Sequence, residues 1–152
     1  MKKWILIFGL FLVFTVAARA QQVTEVEGVY YAGSKPYTGT YVTYFDNGNT
    51  KIKLNLKKGL KNGEVRVYFE NGRLSEIRSY KKNLMDGTWI TYNEKAVKVA
   101  VANYKNGKKE GKWTVWDDEG RLIYEMYYKN GEKSGTWKKY DASGELVNER
   151  SF

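Results

Sequence analysis

The sequence predicts an all-β protein, an elongated single-layer antiparallel meander of about eleven strands built from five two-stranded repeats. Three observations carry this expectation. Glycine anchors at Gly39, Gly63, Gly87, Gly111 and Gly135 follow one another every 24 residues without insertion or deletion, and such a period marks units that pack on their neighbours. Asn-Gly turn signals punctuate both ends of the repeat, as Asn47-Gly48 and Asn71-Gly72 at one end and Asn106-Gly107 and Asn130-Gly131 at the other. The chain has 16% aromatic residues, and its 15 glycines stand against one proline, a composition of short strands and tight turns.

Stacked on the anchors, the repeats agree by position. Two residues after each glycine stand Tyr41, Val65, Trp89, Trp113 and Trp137, and five after stand Tyr44, Tyr68, Tyr92, Trp116 and Tyr140. Later come Gly48, Gly72, Ala96, Gly120 and Gly144, then Leu56, Tyr80, Tyr104, Tyr128 and Phe152. Lysine follows this last set in four repeats, as Lys57, Lys81, Lys105 and Lys129.

Residues 1–20 follow another grammar. Lys2 and Lys3 precede an apolar run over 4–18, and Ala18-Arg19-Ala20 gives the small-x-small pattern of a signal-peptidase site, so a cleaved export signal is expected, with Gln21 as the new N-terminus. The run is shorter than the roughly 20 residues that span a bilayer as a helix. The expected division is therefore a signal peptide over 1–20, a capping strand and loop over 21–38, and repeats over 39–152 starting at 39, 63, 87, 111 and 135. The expected location is periplasmic or extracellular. Without cysteine, neither a disulfide nor a lipid-modified cysteine is available.

Along the chain, 21–31 alternates loosely and predicts one opening strand, and Gly33 to Gly39 reads as the longer loop of a terminal cap. Within a repeat, two-residue turns at both ends give a first strand of about 5 to 6 residues and a second of about 7 to 9. The third repeat departs at Asn93-Glu94-Lys95-Ala96, which lacks the glycine. On this pairing one face collects Trp113, Val115, Leu122, Tyr124, Met126 and Tyr128, with Tyr41, Phe45, Ile52, Leu54 and Leu56 from the first repeat. The other collects Lys112, Thr114, Trp116, Ile123, Glu125 and Tyr127, with Thr40, Val42, Tyr44, Lys51, Lys53 and Asn55. A β-bulge beside either turn would exchange some of these.

The residue inventory bears on chemistry. There is no histidine and no cysteine, which removes Ser-His and Cys-His pairs and the commonest zinc ligands. Asp117, Asp118 and Glu119 are adjacent but stand at a predicted hairpin tip, where acidic residues are ordinary turn formers. The reading is non-enzymatic, with no catalytic, cofactor or metal residue. Trp89, Trp113 and Trp137 are expected to form the core of a sheet without a second layer. Tyr44, Tyr68, Tyr92, Trp116 and Tyr140, on the more polar face, are the candidate partner-binding column.

Charge sorts by connection. The chain carries +9, and +6 after loss of Lys2, Lys3 and Arg19. Lys57, Lys58, Lys61, Lys81, Lys82, Lys105, Lys108, Lys109, Lys129 and Lys133 fall in connections between repeats, against Asp86, Glu110 and Glu132. Asp46, Glu70, Glu94, Asp117, Asp118, Glu119, Asp141 and Glu145 fall in connections within repeats, against Arg73, Lys95 and Arg121, so a meander should have one basic and one acidic edge. Lys57, Lys81, Lys105 and Lys129 are the candidate anionic-surface residues. Anionic lipid, lipopolysaccharide, a glycan or an acidic protein are the expected partners, and an exported chain without a nucleic-acid motif is not expected to bind nucleic acid.

The recurring G-x-W-x-x-Y/W-x-x-x-G-x-L and Y-K-N-G-x-x-x-G resembles the MORN-repeat variant, found in proteins labelled YwqK-type antitoxins. The resemblance implies an antiparallel sheet serving as an interaction scaffold for protein partners, membrane surfaces or lipid head groups. The expected function is an exported protein-binding scaffold, with an anionic lipid or glycan module as the alternative and an antitoxin or immunity-type partner of a toxin as the second.

Overall fold

A computed structural model describes residues 22–152. The leader expectation lies outside them. The strands are β1 (Val23–Val26), β2 (Val29–Ala32), β3 (Lys35–Pro36), β4 (Gly39–Tyr44), β5 (Thr50–Lys57), β6 (Leu60–Tyr68), β7 (Leu74–Lys81), β8 (Leu84–Met85), β9 (Gly87–Tyr92), β10 (Lys98–Lys105), β11 (Lys108–Lys109), β12 (Gly111–Trp116), β13 (Leu122–Lys129), β14 (Glu132–Tyr140) and β15 (Leu146–Ser151). The main sheet runs β4-β5-β6-β7-β9-β10-β12-β13-β14-β15 in chain order, all antiparallel, with β8 on β7 and β11 on β10. This is the open meander that the period predicts.

Turns between repeats are two-residue turns with positive φ at both positions, as at Lys58-Gly59, Lys82-Asn83, Asn106-Gly107 and Asn130-Gly131. Each hooks the turn before it: the N–H groups of Gly59, Asn83, Gly107 and Gly131 donate to the carbonyls of Tyr37, Lys61, Met85 and Lys109 at 2.7–2.9 Å. Side chains just before the anchors repeat the device. Thr38, Asp86 and Glu110 accept from the N–H of Lys58, Asn106 and Asn130.

Turns within repeats correct the two-residue expectation. Asn47 and Asn71 do not have positive φ; Gly48 and Gly72 do, at +85° and +83°. Gly48 N–H donates to Phe45 O and Phe45 N–H to Asn49 O, which makes a three-residue turn with its glycine in the left-handed region. Asn47 Oδ1 accepts from Asn49 N–H at 2.9 Å, stabilising this longer form. In the third repeat Ala96 takes the glycine's place at φ +62°, and Asn93 Oδ1 holds the turn by accepting from Lys95 and Val97.

The extra residue becomes a bulge one step into the second strand. Thr43 pairs with Ile52 but Tyr44 with Thr50, leaving Lys51 over, and the same shift recurs around Ser75, Val99, Ile123 and Val147. Two face assignments change as a result. Lys51 was expected opposite Phe45 and instead lies with its ammonium 5.5 Å from that ring, and Leu122 pairs with Trp116 rather than continuing the Tyr124 face. A second shift sits at the anchors: Leu54 faces Val65 while Leu56 faces Lys61, so two extra residues are absorbed around Gly63, whose φ is +98°. There the indole N–H of Trp89, Trp113 and Trp137 donates to the carbonyls of Ser79, Asn103 and Tyr127 at 2.9–3.1 Å.

The N-terminal segment is a separate three-stranded sheet, β1-β2-β3, rather than one opening strand, because Glu27-Gly28 makes a further turn with positive φ at both residues. It places Tyr30 on Leu54, Leu56 and Val65, and these four are the buried core, 2–6% exposed. Burial first, and then the hydrogen bond and charge of Glu25, push the Tyr30 phenol well above its usual range. In the other repeats the positions of Leu56 and Val65 are aromatic, so here Tyr30 supplies the missing ring as a lid.

Two predictions follow from this architecture. A methyl on Gly59 would meet Val29 Cγ1 at 2.6 Å and Tyr30 O at 2.9 Å, whereas one on Gly107 meets nothing closer than Leu84 Cδ2 at 3.7 Å. Both have positive φ, so Gly107→Ala should cost about 1 kcal/mol from the backbone alone, and Gly59→Ala roughly 1–3 kcal/mol more by unseating the cap. Equal thermal shifts for the two would contradict the docking of β1-β2-β3. The second concerns the acidic tips. Backbone N–H donors from Arg121 lower Asp117, and the Ser143 hydroxyl and Glu145 N–H lower Asp141. Groups with lowered folded values stabilise above their ordinary value of 3.8, and that stability is lost as pH falls through the folded values. Asp117→Asn with Asp141→Asn keeps the Oδ1 acceptors, as Asn93 does natively, but removes the charge, so it should lower Tm slightly at neutral pH and flatten its acid-side fall. An unaltered acid-side slope would show that these carboxylates do not set it.

Candidate functional site

Seven rings form one ladder across the sheet: Tyr80, Trp89, Tyr104, Trp113, Tyr128, Trp137 and Phe152, with successive centroids 4.9–5.5 Å apart and planes tilted by 51–63°. The spacing is that of the strands, about 4.8 Å, since each strand contributes one ring. Each tilted pair adds roughly 0.5–1.5 kcal/mol beyond the area it buries. The tryptophans, expected as the core, make the cross-strand ring contacts, but the buried core is Tyr30, Leu54, Leu56 and Val65. The tryptophans are only half-buried, as are the tyrosines between them, and Phe152 is 44% exposed.

Cations lie along both sides of this ladder. The ammonium of Lys109 is 4.6 Å from the Trp113 centroid and 4.7 Å from that of Tyr128; Lys133 is 4.5 Å from Trp137 and 4.8 Å from Phe152; Lys61 is 5.4 Å from Tyr80. These lysines were assigned to the basic edge, but the register Leu56↔Lys61, Tyr104↔Lys109 and Tyr128↔Lys133 sets them beside the rings. On the other side Arg78 lies 5.5 Å from Trp89 and Arg150 5.0 Å from Phe152. Burial first, then the neighbouring Tyr128 and Tyr80, raises the Tyr104 phenol, which stays neutral and apolar in the ladder.

Tyr44, Tyr68, Tyr92, Trp116 and Tyr140 occupy the opposite face, each at the end of a first strand beside a bulge. Tyr44 is 61% exposed and the others are half-buried. Among the described residues no ring contact joins them, so they are separate stations. Lys98 lies 4.9 Å from the Trp116 ring. Tyr140 donates its hydroxyl to Glu125 Oε2 at 3.0 Å, and Glu125 also pairs with Lys112, whose hydrogen bond holds the carboxyl below its usual range. Desolvation, then this contact with Glu125, raises the Tyr140 phenol.

The alternating turns set the two charged edges apart. Lys57, Lys81, Lys105 and Lys129 end β5, β7, β10 and β13 on one edge, all exposed. None of the five ion pairs among the described residues uses them. On the other edge Asp117 accepts N–H groups from Glu119 and Arg121 and pairs with the Arg121 guanidinium at 2.6 Å, so this carboxylate serves its own turn. Tips are also joined to one another, through Asn47 and Asn49 to Glu70 O, Arg73 to Glu94 O and Asn93 to Asp118 O.

No curated protein matches the chain. A family model for the MORN repeat variant matches four segments, 37–58, 61–82, 109–130 and 133–152. The gap between the second and third segments holds β9 and β10, which pair as the other repeats do and differ by Ala96 at the tip glycine. With more than half of its length matched in register with the structural period, the chain belongs to the MORN repeat variant family.

Proposed function

We propose that this protein is an exported, non-catalytic scaffold that holds a protein partner against its sheet, in the periplasm or outside the cell. The observation that carries this reading is the half-exposed ring ladder from Tyr80 to Phe152, which among the described residues has no second layer over it. Aromatic side chains with an apolar body and few rotamers suit the centre of an interface. Hydrogen-bonded turns along the lysine-rich edge and linked tips along the other keep the sheet in one shape, which lowers the ordering cost of association. MORN repeats are generally protein- or membrane-binding modules, in keeping with this role. The export part rests on the apolar run and on Ala18-Arg19-Ala20.

A second reading has its own observation. Lys57, Lys81, Lys105 and Lys129 are exposed, take part in no ion pair among the described residues, and are displayed along one edge at the ends of alternate strands, roughly 9–10 Å apart. Such a row suits an anionic lipid, lipopolysaccharide or glycan surface, where each lysine adds about 1 kcal/mol before salt screens it.

Photoreactive phenylalanine at Tyr104 on the ladder face, and separately at Tyr92 on the other, tests the scaffold in cells that make the tagged chain naturally. The expected result is a discrete protein adduct from at least one face, on a chain whose N-terminus is Gln21. No adduct from either face overturns the scaffold, and a retained 1–20 segment overturns the export. For the second reading, changing Lys57, Lys81, Lys105 and Lys129 together to Glu should abolish salt-sensitive sedimentation with anionic vesicles while the circular dichroism stays that of a β protein. A parent chain that ignores such vesicles at low salt removes that reading.

A further inference from the structure

At the C-terminal end of the ladder face lies an open groove of about 250 Å³ with Tyr124, Trp137 and Phe152 as its floor. Four cationic residues line it, Lys133, Lys138, Lys139 and Arg150, and three of them lie against its rings. Lys133 lies over Trp137 and Phe152, Arg150 lies 5.0 Å from Phe152, and Lys139 lies 5.8 Å from the Tyr124 ring. Strand register keeps acids off this face of β13–β15. Glu125, Lys138 and Glu149 are cross-strand partners in one row, out of step with Tyr124, Lys139 and Asn148, and Glu132 pairs with Lys129, out of step with Tyr128 and Lys133, so all three strand glutamates point away. None of the ion pairs among the described residues involves Lys133, Lys139 or Arg150.

Equivalence of the repeats shows that the fold does not require these charges. One period earlier, Lys139, Asn148 and Arg150 correspond to Val115, Tyr124 and Met126, and the sheet pairs there in the same register. A charge on an outer strand can serve to discourage edge pairing. That accounts for Arg150 on β15, but Lys139 stands on β14, inside the sheet. The groove at the other end of the same face offers a contrast. Its Arg78 is paired with Glu76 at 2.6 Å and Glu25 also lines it, so its charge is balanced internally.

We infer that the groove on Trp137 and Phe152 is the docking site for an acidic segment of the protein partner, one in which carboxylate side chains alternate with apolar or aromatic ones. The inference rests on the scaffold reading and names the chemistry of its partner. A small anion would engage the cations and leave the aromatic floor in water, while an apolar chain would desolvate three ammonium and guanidinium groups without a counter-charge. An extended peptide presents alternate side chains about 6.8 Å apart on each of its two faces. With its apolar face on the rings, its carboxylates lie toward the rim of the groove, where the long flexible stems of Lys133, Lys139 and Arg150 carry their charges up to meet them.

The test titrates the purified protein with a labelled peptide of alternating Glu and Phe and with its Gln-for-Glu counterpart, read by fluorescence anisotropy. The Glu peptide should bind, the Gln peptide should not, and affinity should fall with salt. Lys139→Val with Arg150→Met, which installs the residues of the preceding repeat, should weaken binding roughly tenfold or more with circular dichroism unchanged. Lys35→Thr with Lys53→Thr removes two positive charges elsewhere and should leave binding unchanged. Equal loss in both variants, or equal binding of both peptides, overturns the inference, as does binding of a polyuronate glycan or anionic vesicles in place of the peptide. A photo-adduct that survives Lys139→Val with Arg150→Met places the partner elsewhere on the sheet, which sinks the groove and spares the scaffold.

Discussion

A one-layer sheet has no opposing layer to cover its apolar side, and this constraint organises the molecule. Most domains bury a sheet face against helices or a second sheet. Here the cover comes from the sheet itself, because rings on neighbouring strands sit one strand spacing apart and lean on one another. The indole N–H groups answer carbonyls at the places where the anchor glycines break the pairing, so the same tryptophans that fill the face also repair the ladder. Where the rings give way to Leu56 and Val65, beside Leu54, the cover fails, and the N-terminal sheet brings Tyr30 to supply it. The cap is therefore a consequence of aliphatic residues at ring positions.

The edges solve a second problem, that a strip of hairpins touching only their neighbours would be free to twist and fray. Turn-to-turn hydrogen bonds tie each two-residue turn to the one before it, and side chains such as Asn93 tie each tip to the next. Strand pairing then fixes the middle of the sheet and the turns fix its borders. The chemistry of the two borders differs because their turns differ. Two-residue turns need only positive φ and leave flanking positions to lysine, whereas three-residue turns recruit Asp117, Asp141 or Asn93 as acceptors and so collect acids.

Much of this was legible in the sequence. The period gave the meander and its strand order, the aromatic set at Tyr80 to Phe152 gave the ladder, and alternation gave most of the faces. What alternation could not resolve was one residue in the tips. Asn-Gly fits a two-residue turn as well as the last two places of a three-residue one, and the choice depends on where Asn47 Oδ1 finds a donor, which is a contact and not a propensity. That single residue becomes the bulge, and with it Lys51 and Leu122 change company. The cap was read as one strand because Glu27-Gly28 is a weaker turn signal than Asn-Gly. Lys61, Lys109 and Lys133 read as edge lysines because their place beside the rings depends on cross-strand pairing, which a linear count does not show.

Repetition also separates structural side chains from others within one chain. A residue type that recurs at a position, like the glycine anchors or the ring that ends each repeat, answers to the fold, since every copy meets the same neighbours. A residue that departs from its copies while the pairing stays the same answers to something else or to nothing. Ala96 departs from glycine and its turn survives because Asn93 compensates, a departure absorbed locally. Val65 departs from tryptophan and is absorbed by Tyr30. Lys139 and Arg150 depart from Val115 and Met126 without a compensating acid among the described residues, and they do so side by side on one face. Uncompensated charge against an aromatic floor is costly to leave unpaired once water is excluded, so the groove gains most from an occupant that carries the opposite sign.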